Sequence, residues 1–416
     1  MNPLTTVLPP FLLEKKLEAA ISSWRERASH PIAVQLWNGK RHALGDSPKL
    51  VLHIRSPKTL ARLMEPSLAT LGAAYVEGEL DFEGHMRDAI DTIAGFIAAL
   101  APAHRRARPR KARHTRKLDS DSIQHHYDVS NDFYRLWLDE QMVYSCAYFR
   151  SPDDGLEQAQ IQKIDHILHK IRLQPGERLL DIGCGWGALA LRAARDYGAH
   201  CVGVTLSRQQ YEEATRRVRK AGLEGRCEIR LQDYRDVDGR FDKITSVGMF
   251  EHVGLNHLGD YFRKIRDLLA EGGIALNHGI TSSDPDSGES PYGGGDFIDR
   301  YVFPNGELPL IGLVLKEMGA AGLEAADIEN LRLHYARTLE HWTDRFEAHG
   351  ARLRELAGDT RYRIWRAYLA GCAYGFAHGW VALHQIVACR PGGPADHPLP
   401  LTRDYMYPPH QLQAID

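Results

Sequence analysis

Two rhythms of apolar residues divide the chain. In the first hundred residues IAVQLWNGKRHAL and KLVLHIRS alternate apolar with polar positions, the period of half-buried strands, and the turn signals Asn38-Gly39 and Gly45-Asp46 separate them. TLARLMEPSLATLGAAYVEGEL then reads as an amphipathic helix and loop. Beyond residue 119 short apolar runs alternate with helical patterns: ERLLDIG, ALALRAARDYG, HCVGVTLS, a helix from Arg208, CEIRLQ, FDKITSVG, a helix around 257–270, and GGIALNHGI. That alternation predicts a parallel sheet with helices on both faces. Ala367 to Cys389 contains no Asp, Glu, Lys or Arg and is long enough to span a bilayer. Its His378, His384 and Gln385, with glycines at 371, 375 and 379, favour instead a buried helix ending near Ala377 and then the strand VALHQIVAC.

A chain of 416 residues exceeds what one hydrophobic core serves, so two domains are expected: 1–103, an α+β domain, and 119–416, joined by a linker at 104–118. A net charge of -2 gives no global pull toward nucleic acid, and none is expected as a partner. The linker is locally different. HRRARPRKARHTRK carries eight Lys/Arg and no acid, a solvated connector that would also suit anionic lipid head groups at roughly 1 kcal/mol per cation. Cys146, Cys184, Cys201, Cys227, Cys372 and Cys389 form no C-x-x-C pair, so neither disulfides nor a metal site are expected, and a reducing cytoplasm fits. The first residues lack the positive stretch of a signal peptide.

Candidate chemistry begins after RLLDI, where Gly183-Cys184-Gly185-Trp186-Gly187 leads into a helix. Glycines there let backbone N–H groups approach a ligand. A dinucleotide site would read G-x-G-x-x-G, with an acid closing the next strand. Here the spacing is G-x-G-x-G, Asp181 precedes it, and the next strand ends in Thr205-Leu206-Ser207. The compact turn suits the methionine carboxylate and ribose of S-adenosylmethionine, and Asp233 sits where an acid usually faces adenine in such folds.

HHYDVSNDFYRLWLDEQMVYSCAYF (125–149), LLDIGCGWGALALRAA (179–194), GVTLSRQQ (203–210), MFEHVG (249–254), FIDRYVFPNGELP (297–309) and HYARTLEHW (334–342) together resemble the cyclopropane-fatty-acyl-phospholipid synthases and their mycolic-acid relatives. The resemblance implies a class I S-adenosylmethionine-dependent methyltransferase, a Rossmann-like seven-stranded sheet with a helical cap over an acyl tunnel. A small lipid-binding-type α+β domain would precede it, as in the phospholipid enzymes. The implied cofactor site comprises Tyr144, Ser145, Asp181, Gly183, Gly185, Thr205, Gln210, Asp233 and Tyr234.

In the implied reaction an alkene attacks the sulfonium methyl, and a base then removes a proton from the transferred methyl so that the ring closes. The family uses bicarbonate as that base. Its pocket maps to Cys146, Glu251, His278, the Ile280 backbone and Tyr335, with Cys372 matching a further family cysteine. Singly, Cys146 reads as a core thiol and His278 as a satisfied strand-end histidine; the set at matching positions favours the functional reading. For Cys372 packing is the stronger role, since the alkene is itself the nucleophile. ALNHGI departs from the usual Leu-His-Thr, and Ala336 replaces a common Asp, which leaves ring closure and methyl branching both open. The expected partners are unsaturated acyl chains of phospholipid, met by a peripherally bound cytoplasmic enzyme that could be a homodimer. Methylation of a small amine is the enzymatic alternative; a non-catalytic lipid binder would not need the intact GCGWG.

Overall fold

The computed structural model describes residues 10–27, 30–59, 62, 66–100, 130–285, 291–304, 306–391 and 397–407. The basic stretch 104–117 and the HHYDV portion of the first motif lie outside the described residues. The chain forms two compact units. One gathers residues 1–109 with 289–304 and 342–375; the other holds 110–288, 305–341 and 376–416.

The first unit contains a four-stranded sheet of order β2-β1-β3-β4, with β1 Ile32–Gln35, β2 Arg41–Ala43, β3 Leu50–Ile54 and β4 Leu80–Phe82. The Asn38-Gly39 turn closes the β1–β2 hairpin as its sequence predicts, with Gly39 at φ 84°. The predicted helix appears at Leu68–Val76, capped by Ser67, whose side chain accepts from the Thr70 N–H. The short strand β4 comes after it, where a loop was expected. Ile32, Val34, Leu52 and Ile54 bury one sheet face with Tyr75, Phe82, Ile93 and Phe96, and Ala370 from far along the chain joins that core. Arg366 ties the unit together: its guanidinium donates to Glu347, the Tyr75 hydroxyl and the Gly84 carbonyl, while Glu347 also accepts the Met86 N–H.

The second unit is a seven-stranded sheet of order β10-β11-β9-β8-β5-β6-β7. Its strands are β5 Arg178–Ile182, β6 His200–Thr205, β7 Cys227–Leu231, β8 Phe241–Val247, β9 Leu269–Ser282, β10 Glu324–Asn330 and β11 Val381–Cys389. β5 to β9 run parallel. β11 pairs antiparallel with both β9 and β10, so the fully parallel sheet read from the alternation holds only for five strands. The uncharged stretch resolves as expected, into the helix Asp359–Ala377 and β11. Among the described residues no helix is long and apolar enough to cross a membrane.

The order of strands positions the site. From β5 the chain steps outward to β6 and β7, then returns to β8 on the other side of β5. At that reversal the loops leaving β5 and β8 diverge, opening a crevice beyond the strands' carboxyl ends. Arg366→Met should leave Glu347 without its guanidinium and lower stability by about 3 kcal/mol. Denaturant unfolding checks this; an unchanged midpoint would show that the network contributes nothing.

Candidate active site

The crevice is a cavity of about 550 Å³ within the second unit. Its walls include all nine residues assigned to the cofactor: Tyr144, Ser145, Asp181, Gly183, Gly185, Thr205, Gln210, Asp233 and Tyr234. Each sits at or just past a strand end or on the 143–149 segment. Gly185 has φ 56°, and a Cβ there would meet no protein atom within 4 Å, so its side-chain direction opens into space a ligand could use. Ser207 caps the helix Arg208–Lys220 by accepting the Gln210 N–H, and the Thr205 hydroxyl donates to the Gln210 amide oxygen at 2.8 Å. Asp181 is buried beneath the loop; burial pushes its carboxyl up to about 6 against the Thr245 hydroxyl that donates to it. Asp233, expected to face adenine, lines the cavity, and Arg235 donates to both its oxygens.

The 143–149 segment has no regular structure, so side chains hold it. Asp139 accepts the Gln141 and Val143 N–H groups around Met142, which has φ 55°. From the helix Leu156–Lys170, Gln160 donates to the Val143 and Ser145 carbonyls and Lys163 to the Ser145 hydroxyl. Tyr148 stacks between His166 and His334, at 4.3 and 4.6 Å. Beneath it His166 and the fully buried Lys170 both reach Glu329, and despite burial they hold that carboxylate down at about 2. None of Asp139, Gln160, Lys163 or Lys170 was singled out from the sequence. For the last three the one signal is a helix whose polar residues Gln160, Gln162, Lys163, His166 and Lys170 are buried, which sequence patterning cannot distinguish from a solvated face.

The residues expected to do chemistry do not line this cavity; they form smaller groups, although Met249, His252 and Val253 beside Glu251 do line it. Glu251 accepts the Ile280 N–H at 2.7 Å, which joins two expected members. Its other oxygen is buried without a hydrogen-bond partner, and burial pushes the carboxyl up to about 7. His278 shares a strand face with Ile280, two residues on. Its Nδ1 meets Gln385 at 3.2 Å, while its Nε2 is buried and unpartnered. Burial holds His278 well below its ordinary pKa, so it is neutral. Cys146 donates to the Ala147 carbonyl and, at 3.9 Å, to that of Leu331, which also accepts the Tyr335 N–H. Burial raises the Cys146 thiol, so no thiolate is available there. Tyr335 packs on Phe376 at 4.6 Å. Cys372 belongs to the first unit, half-buried, its thiol pushed up to about 12 by burial.

A sequence model described as mycolic acid cyclopropane synthetase matches residues 114–386. The chain belongs to that family. It is therefore an S-adenosylmethionine-dependent methyltransferase, on a class I sheet preceded by a small α+β unit. A second model, a domain of unknown function (DUF7884), matches residues 22–95 of this methyltransferase. A probable fatty acid methyltransferase from Pseudomonas putida is 46% identical over 91% of this chain and 96% of its own. Tuberculostearic acid methyltransferase UfaA1 from Mycobacterium tuberculosis is 35% identical over 89% of this chain and 90% of its own. The crystal structure of mycolic acid cyclopropane synthase CmaA1 complexed with SAH and CTAB superposes with a TM-score of 0.62 at 35% identity, covering 65% of this chain and 97% of that one.

The cavity fits S-adenosylmethionine: it falls in the size range of small-molecule sites, apolar in the main, with a few polar groups converging. Gly185→Ala should project a methyl into that space at a backbone strain of about 1 kcal/mol. Calorimetry should show at least a tenfold loss of S-adenosylhomocysteine affinity with only a small change in unfolding temperature. Unchanged affinity would remove Gly185 from the site.

Proposed function

We propose that the enzyme transfers the methylene group of S-adenosylmethionine to the double bond of unsaturated acyl chains in phospholipid, forming a cyclopropane. The observations carrying this reading are two buried polar atoms without partners, one oxygen of Glu251 and the Nε2 of His278; Glu251 accepts the N–H of Ile280, two residues along the strand from His278. Leaving such atoms unsatisfied costs about 1–3 kcal/mol each, more for a charged group, so they call for a small polar occupant. Bound S-adenosylmethionine supplies an electrophilic methyl; the alkene forms a bond to that carbon as the carbon–sulfur bond breaks, leaving a cation on the neighbouring alkene carbon. Loss of a proton from the transferred methyl gives the electron pair that closes the ring. Glu251 and neutral His278 would hold bicarbonate as the proton acceptor, with the Ile280 N–H fixing the Glu251 carboxyl. The names of the two fatty-acid relatives support an acyl substrate.

Both names say methyltransferase, which favours a methyl-branched product as the second reading. The two diverge at the cation, so Glu251→Gln separates them. This variant should bind S-adenosylhomocysteine normally yet lose about 10²–10⁴-fold in cyclopropane formation. Added bicarbonate should stimulate degassed wild-type enzyme and rescue the variant only weakly. Mass spectrometry of the lipids reads the outcome: wild-type rates of cyclopropane would show the pocket to be misassigned, and branched lipid would limit Glu251 to the fate of the cation.

The Glu251 carboxyl also sets a pH dependence of stability. Between about pH 4.5 and 7 the folded enzyme keeps a proton that the unfolded chain releases, so stability falls as pH rises through that window. Glu251→Gln should therefore gain stability relative to wild type from pH 5 to pH 8, by on the order of 2 kcal/mol. Parallel melting curves at the two pH values would count against it.

The basic stretch 104–117 suits the same substrate, since eight cations attract an anionic lipid surface. Replacing them with Gln should weaken binding to anionic vesicles and flatten its salt dependence. Equal binding would reduce the stretch to a connector.

A further inference from the structure

Lys163 sits in the cofactor cavity wall with 2% of its surface exposed. Its ammonium donates to the Ser145 hydroxyl at 2.8 Å, and among the described residues no carboxylate oxygen lies within 4 Å of it. The two nearby acids are occupied elsewhere: Asp181 by the Thr245 hydroxyl, Asp139 by backbone N–H groups. A buried cation with no carboxylate in direct contact is costly, and two of its three donors remain for another acceptor. Lys170, two turns further along the same helix face, shows the contrast, since it is fully buried but paired with Glu329 and Asp327.

The ligand this cavity binds carries one anionic group, the methionine carboxylate; its sulfonium and ammonium would be repelled by a lysine. We propose that Lys163, together with Ser145, recognises that carboxylate and selects the cofactor by its amino-acid end. This rests on the S-adenosylmethionine assignment. Burial lowers the ammonium to about 8, with the Asp139 and Asp181 carboxyls opposing that, so it remains charged at neutral pH. The helix thus does two things at one position: it braces the 143–149 segment and presents a fixed positive charge where the carboxylate enters.

Calorimetry with S-adenosylhomocysteine and its decarboxylated analogue, S-adenosyl-3-thiopropylamine, tests this. Wild-type enzyme should prefer S-adenosylhomocysteine by roughly tenfold to a hundredfold, the worth of one charge-assisted hydrogen bond. Lys163→Met should lose that preference by weakening S-adenosylhomocysteine alone, and Lys163→Arg should keep part of it. If Lys163→Met weakens both ligands by one factor, Lys163 only supports the fold of the segment and the proposal fails. Equal wild-type affinity for the two ligands overturns it without any variant. Failure of the wild type to bind either would instead sink the cofactor assignment, and this proposal with it.

Discussion

The site depends on where β5 finds its partners. β5 hydrogen-bonds to β6 on one side and to β8 on the other, and the chain reverses its progress across the sheet between these pairings. Because Leu179, Leu180, Asp181 and Ile182 are buried, this strand cannot slip or fray without exposing the centre of the unit. Apart from Tyr144 and Ser145, what the cofactor would touch is hung from that pairing. Gly183 and Gly185 come after β5, Thr205 ends β6, Asp233 lies past β7, and Gly248 and Met249 lie past β8. Side chains scattered over a hundred residues converge because strand ends share one edge of a rigid layer.

Around this frame the protein buries polar groups at sites where a ligand could satisfy them. Lys163 has no carboxylate in direct contact, Glu251 has one free oxygen, and His278 has one free ring nitrogen, while the neighbouring Lys170, His166 and Glu329 satisfy one another. The two groups differ in what they do for the molecule. The closed cluster fixes the Leu156–Lys170 helix against β10 and so positions the 143–149 segment. The open groups destabilise the ligand-free protein and strengthen whatever binds, since a low-dielectric site magnifies each interaction with its ligand.

Much of this was legible in the chain. The five parallel strands, the capped helix from Arg208 and the end of the uncharged helix at Ala377 are consequences of apolar periodicity and turn residues. β10 was not legible, because EAADIEN carries three acids and one β-branched residue; its strand state comes from pairing with β11. β4, three residues long, is too short to show a period. Of the site, the glycine loop and its strand-end partners could be read because their spacing is local. The burial of Lys163 and Gln160 could not, since an amphipathic helix shows only that its polar residues share a face. The irregular 143–149 segment just upstream and β10 far downstream decide how that face is covered.

The first unit is discontinuous in the chain: residues 289–304 and 342–375 belong to it although the second unit begins before them. Its core includes Ala370, and Arg366 joins Tyr75 and Gly84 across more than 280 residues. On the ribosome the N-terminal sheet is therefore made early but completed late. Its helices must wait for segments that emerge only after most of the methyltransferase sheet has been synthesised. Contacts of such separation slow folding, and incomplete units are the species chaperones encounter. The two matched sequence families meet at a boundary in the chain that the folded protein does not respect.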